Sequence, residues 1–170
     1  CRPGRGRVLA MTITIRDLCA ADREQMARWT IDFFADLKAG GDPYFEGAVL
    51  RPDAVARDLI LPFPSDRLGV MALRDSIPAG YLTARLDRPF VHESPIHLVG
   101  HVSHVYVAPA HRRQGVARAL LAHAEAWFRD RGIGWMQLSW QPGNRLADQA
   151  WRASGFEPYR IYGRRRIAEG

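Results

Sequence analysis

The stretch His101-Val102-Ser103-His104-Val105-Tyr106-Val107-Ala108-Pro109-Ala110-His111-Arg112-Arg113-Gln114-Gly115-Val116-Ala117 decides the fold. Its first half reads as the end of a strand over 96–107. From Gly115 the apolar period changes. Val116, Ala117, Leu120, Leu121, Ala124, Trp127 and Phe128 form one stripe at helical spacing, and Gly132 is a natural stop. The loop between strand and helix carries Arg112-x-x-Gly115-x-Ala117. A helix start offers unpaired backbone N–H groups and the positive end of its dipole, which together suit a phosphate. Gly115 has no side chain and Ala117 a small one, so a pyrophosphate can approach the backbone. Arg112 and Arg113 can add charge-assisted hydrogen bonds. An ordinary strand–loop–helix turn with solvated arginines would read the same way, and the loop alone leaves both readings open.

Working outward, Thr12-Ile13-Thr14-Ile15-Arg16 alternates and is rich in β-branched residues, a strand pattern. Asp22 introduces a helix with Met26, Trp29, Phe33 and Leu37 at spacings of three and four, ended by Gly40-Gly41-Asp42-Pro43. A second short helix is expected over 52–61. Strands follow over 68–74 and 80–86, with Ser76-Ile77-Pro78 as their turn. A loop from Asp87 to Pro95 leads to the strand quoted above. After the helix come a strand over 135–140, a short helix over 144–153 and a closing strand over 156–167. The order βααβββαβαβ predicts an α+β arrangement around one mixed sheet.

A chain of 170 residues has the size of one domain. Its 47% hydrophobic and 25% charged residues are ordinary for a globular protein, which excludes global disorder. No apolar run approaches the roughly 18 residues that span a membrane, so no membrane role is expected. Residues 1–10 hold three arginines and no apolar core, so they read as an upstream extension or cloning remnant before Met11 rather than a secretory signal. Residues 11–170 are then the single domain. Cys1 and Cys19 have no metal-ligand spacing and are too few for a disulfide scaffold; a reducing cytoplasm is the reading, with no metal. The net charge of +6 and the run Arg164-Arg165-Arg166 raise nucleic-acid binding. Half of that charge lies in residues 1–10, the terminal arginines can guard an edge strand, and no aromatic-interleaved basic stripe appears. Nucleic acid is therefore not the expected partner.

The pattern Val105-x-Val107-x-Pro109-x-x-Arg112-x-x-Gly115-x-Ala117 resembles the acetyl-coenzyme A signature of the GNAT superfamily of N-acetyltransferases. Asn144-x-x-Ala147-x-x-x-Trp151-x-x-x-Gly155-Phe156 resembles the second family motif at the expected distance. The resemblance covers roughly 82–156, and the element order extends it over 11–167. It implies a mixed, mostly antiparallel sheet of six to seven strands flanked by about four helices. It also implies acetyl-CoA as cosubstrate and a small-molecule or peptide primary amine as acceptor, acetylated by direct attack in a ternary complex. Two central strands would splay, and the pantetheine arm would pair with the backbone around Val105, Tyr106 and Val107. Arg112, Arg113, Gln114, Gly115, Val116, Ala117 and Arg118 would hold the pyrophosphate, largely through their amides, and Asn144 would contact the pantetheine or phosphate region. A homodimer is left open. So is a catalytically weak acyl-CoA-binding sensor, on the strength of Trp151.

Amine acetylation requires a neutral nucleophile, and a lysine-like amine has a pKa of about 10.4. His101 is the candidate base, at a strand position where family members carry a glutamate or histidine; His104 and Glu93 are alternatives. Strand alternation predicts His101, Ser103 and Val105 on one face and His104 and Tyr106 on the other. At Trp151 many family members have a tyrosine that protonates the departing thiolate, and an indole N–H cannot do so. Tyr159 and Tyr162 could take that place only by proximity in space, for which their distance in sequence gives no warrant. The acceptor site implied by the family draws on segments holding Phe33, Phe34, Tyr44, Phe45, Phe90, Glu93, Tyr159 and Tyr162. Aromatic and acidic residues suit a cation with an apolar body.

Overall fold

The structure, a computed structural model, describes residues 12–39, 43–45, 47–58, 61, 63–91 and 93–166. The expected N-terminal extension lies outside the described residues. Five strands order themselves β1 (Ile13–Asp17), β2 (Arg67–Arg74), β3 (Ile77–Asp87), β4 (Val99–Val107) and β5 (Met136–Gln137) across one sheet. The first four pair antiparallel and β5 joins β4 in parallel, giving the mixed sheet expected. Helices α1 (Arg23–Ala39) and α2 (Pro52–Asp58) stand between β1 and β2; α3 (Val116–Arg129) stands between β4 and β5; and α4 (Arg145–Ala153) follows β5. The chain divides into two compact units, the first ending at Ser139 and the second starting at Trp140.

Each sheet face in the first unit has its own cover. Tyr81 on β3 stacks on Trp29 of α1 at 6.2 Å, and Tyr106 on β4 meets the same indole at 5.5 Å. Met26, Met71, Leu18 and Leu61 complete that layer. On the opposite face α3 buries Val116, Leu120, Leu121, Ala124 and Phe128, the stripe that its sequence period defines. Phe128 lies flat where β4 has Gly100. A Cβ at Gly100 would stand 2.6 Å from three of its ring carbons, so only glycine lets α3 approach there.

The entry into α1 is held by charge. Arg16 on β1 donates two hydrogen bonds of 2.7 Å to the Asp22 carboxylate, which also accepts from the Cys19 N–H at 2.9 Å. These bonds, the Arg16 pair foremost, hold the buried Asp22 at about 2, below its usual 3.8. A depressed folded-state pKa stabilises above the unfolded value, and that gain disappears as pH falls from about 4 through about 2. Asp22→Asn is therefore expected to lower stability by about 2 kcal/mol at pH 7, with the gap from wild type closing toward pH 2. Urea unfolding at both pH values measures it. A gap independent of pH would assign the loss to packing instead.

Three expectations need correction. The β2–β3 turn is Asp75-Ser76, both at positive φ (50° and 70°), a two-residue hairpin that places Ile77 and Pro78 inside β3. The strand expected over 135–140 shrinks to Met136–Gln137. The closing strand over 156–167 does not form within 156–166, so the sheet has five strands among the described residues rather than six or seven; residue 167 lies outside them. Its β-formers are solvent-facing, Ile161 at 92% exposure and Tyr162 at 77%, and a strand without a neighbour has no ladder to stabilise it. No helix among the described residues is long and apolar enough to cross a membrane.

Candidate active site

Strand β4 does not alternate regularly. Thr83 of β3 faces His104 and Ala84 faces Val102, so Ser103 is an extra residue opposite no partner, a β-bulge. The bulge reverses the parity of everything before it. His104 and Tyr106 lie on the α1 side, edge-on to Phe33 at 5.6 Å and against Trp29, while Gly100 lies on the α3 side. His101 pairs with Arg85, which shares a face with Tyr81 and Thr83. The expected partition of faces is thus overturned. His101 stands on the same side as His104 and Tyr106, and Val105 on the other.

The result is a polar cluster on the α1 side of the sheet. Arg85 donates to Ser103 Oγ at 3.2 Å and to Asp87 Oδ2 at 2.8 Å. His104 Nδ1 and Thr83 Oγ1 share a hydrogen bond of 3.1 Å. His101 is half-buried, and its buried Nδ1 has no hydrogen-bond partner among the described residues. Burial first, then the neighbouring Arg85 cation, push the His101 imidazole below its usual 6.5, with Asp87 opposing. Burial, then His101, lower His104 as well. Both shifts favour the uncharged form of the rings. Glu93 stands exposed in a turn and joins no part of this cluster among the described residues.

Beside the cluster the sheet opens. β5 pairs with β4 only at Gly100 and His101, whereas β4 runs on to Val107. Past His101 no strand among the described residues pairs with that edge. At the far end a short turn, Pro109–His111, leads to Gly115, which caps α3 in the left-handed conformation (φ 84°). The first bond of the helix is Ala119 N–H to the Gly115 carbonyl, so the amides of Val116, Ala117 and Arg118 precede it and point out of the helix start. A Cβ at Gly115 would touch only Ile13 Cδ1, at 3.8 Å, so the space before the helix is open. Val116 buries its side chain and offers only its amide; Arg113, Gln114 and Arg118 are exposed.

Several expected ligands prove partly committed. Arg112 turns back: Nε donates to the Val107 carbonyl at 3.1 Å, and the guanidinium pairs with Asp36 of α1 at 3.4 Å. Tyr106 buries its ring, and its hydroxyl donates to Asp32 at 3.3 Å. Burial, with Asp32 second, raises that phenol to about 12, so only the Tyr106 backbone is available to a ligand. In the second unit Asn144 caps α4, its Oδ1 accepting from the Ala147 N–H at 3.0 Å. Trp151 packs edge-to-face on Phe156 at 6.2 Å, and the left-handed Gly155 (φ 85°) lets the Phe156 N–H return to the Trp151 carbonyl.

Residues 27–156 match the model of the Acetyltransferase (GNAT) family, and the chain belongs to that family. It is 26% identical over 87 residues to aminoglycoside N(6')-acetyltransferase type 1 of Salmonella typhimurium, covering 51% of this chain and 60% of that protein. With the enzyme of the same name from Stenotrophomonas maltophilia it is 35% identical over 83 residues, covering 49% and 54%. The matched segment thus spans little more than half the length of these relatives. Among solved structures, aminoglycoside N-acetyltransferase AAC(6')-Iy in complex with CoA superposes with a TM-score of 0.69 at 21% identity, covering 95% of this chain and 99% of that one. A Bacillus halodurans transcriptional regulator superposes at 0.67 and 18% identity, over 92% and 100%. These likenesses establish the fold.

Proposed function

We propose that this chain is an acetyl-CoA-dependent N-acetyltransferase acting on a primary amine within a ternary complex. One observation carries the reading: β4 links the His101 cluster to the open start of α3, with a strand edge between them that no described residue pairs. The two ends lie ~20 Å apart along the strand. Acetyl-CoA supplies an acetyl thioester. The residues fit it: the amides of Val116–Arg118, which precede the first bond of the helix, and the open approach over Gly115 suit the pyrophosphate, and the edge of β4 past His101 suits the amides of the arm. Arg113 and Arg118 are the cations available there, since Arg112 is held by Val107 and Asp36.

His101 accepts the proton of the attacking amine, directly or through water, and is unprotonated at neutral pH to do so. Trp151 packs and does not serve as an acid. A thiol leaving group tolerates this, since thiols ionise near 8.5. For the acceptor, the relatives acetylate aminoglycosides by name, so aminoglycosides stand first in the panel.

Free-thiol release across aminoglycosides, amino acids, polyamines and peptides tests the reading. Turnover with at least one class is expected. Acetyl-CoA binding without turnover on any class would make the chain a sensor-like binding domain. Gly115→Leu serves as the control for cofactor docking. It places a bulky side chain at a positive-φ position in the pyrophosphate approach, and at least tenfold weaker acetyl-CoA binding is expected by calorimetry. Unchanged affinity in a folded variant would remove the loop from the site.

A further inference from the structure

The cluster holds a residue that the reaction, as derived above, leaves without a role. Arg85 sits opposite His101 on the neighbouring strand, on the same face of the sheet. Its guanidinium ties together two things that determine the histidine's setting. One hydrogen bond goes to Ser103, the inserted residue whose bulge turns His101 toward α1. The other goes to Asp87, two residues along the same strand and on the same face.

We propose that Arg85 is a positioning residue for His101: it pins the bulge that aims the histidine and opposes a positive charge on the imidazole, with Asp87 as its counterweight. The proposal rests on the reading of His101 as the base, but its geometry does not. Among the described residues, the charged and titratable groups facing the imidazole are Arg85 and Asp87 from β3 and His104 from its own strand. β5 sets Gln137 beside it, which carries no charge. The two β3 groups act on the imidazole in opposite senses, Arg85 lowering and Asp87 raising. Asp87 also limits Arg85, because a paired guanidinium projects less field than a bare one. A base at this position must stay uncharged while lying next to a site that takes a cationic acceptor. The Arg85–Asp87 pair supplies that setting through the surroundings of the imidazole.

The test follows the His101 ring directly, by NMR titration of histidine-labelled full-length protein, with His101→Gln assigning the signal. Arg85→Gln is expected to move the His101 midpoint to higher pH, and Asp87→Asn to lower pH. Arg85→Lys, which keeps the charge but not the two-armed bridge between Ser103 and Asp87, should return the midpoint toward wild type. The acid limb of kcat/KM should move in the same senses. General structural damage would not split into opposite directions. Unmoved midpoints, or shifts of the same sign in the Gln and Asn variants, would overturn the proposal. Should Arg85→Gln fail to fold, Asp87→Asn still decides it, since an unmoved or raised midpoint there is equally fatal. If the midpoints move apart while the acid limb of kcat/KM stays put, Arg85 keeps its role and His101 loses its own.

Discussion

His101→Ala is expected to lower kcat by about 10²–10⁴-fold at pH 7, the range usual for a positioned acid–base group. The loss should shrink as pH rises toward the amine's own pKa, because the acceptor then deprotonates without help. Acetyl-CoA affinity should change little, since the groups proposed to hold it are backbone amides of β4 and the start of α3. The proposed activity of the wild-type protein should itself fall on the acid side. Burial and Arg85 depress the His101 imidazole, so the neutral base persists below pH 6.5 and turnover falls only when the ring protonates. Kinetics at saturating substrate, with the chemical step shown to limit turnover, measure both effects. Near-wild-type rates for His101→Ala at pH 7 would place the base elsewhere. His104→Gln is the informative companion. His104 shares the face but is tied to Thr83, so its removal should cost less than that of His101.

Phe128→Ala should destabilise the protein by about 3–5 kcal/mol, the usual cost of emptying a buried aromatic site. Phe128 is almost wholly buried, and its ring lies against the backbone of Gly100, one residue from His101. The complementary change, Gly100→Ala, forces a methyl to 2.6 Å from three ring carbons and cannot be absorbed without moving α3 or β4. Combining Gly100→Ala with Phe128→Leu should recover part of the loss, because the smaller side chain frees the space that the methyl requires. Denaturant unfolding of the two single variants and the double reads the coupling. Strict additivity would mean that the two residues do not share a packing constraint.

Much of this protein is legible one residue at a time. The apolar period of Val116, Leu120, Leu121, Ala124 and Phe128 determines α3 and its buried face, since a helix can bury only one stripe. The spacing from Arg112 through Gly115 to Ala117 places the open helix start, because only a residue tolerant of positive φ can cap α3 with the Gly115 backbone. The order of elements up to α4, and the antiparallel majority of the sheet, follow from local patterns and short connections in the same way.

What the tertiary structure alone decided concerns faces, partners and edges. Alternation would have set His101 against His104, but a bulge is a matter of register between two strands, and no residue of β4 announces it. Arg85 and Asp87 could have been suspected from the polar series Thr83, Arg85 and Asp87 at every second position of a strand; the bond from Arg85 to Ser103 and the pair's relation to His101 exist only once β3 and β4 are paired. Arg112, which sequence assigned to phosphate, finds a carbonyl and a carboxylate first, 5 and 76 residues distant. The segment after Phe156 has the composition of a strand and forms none within 156–166, because hydrogen-bond ladders are made between chains of residues and not within one. Sequence sets what each segment can be. Which face of the sheet a histidine takes depends on how two strands meet.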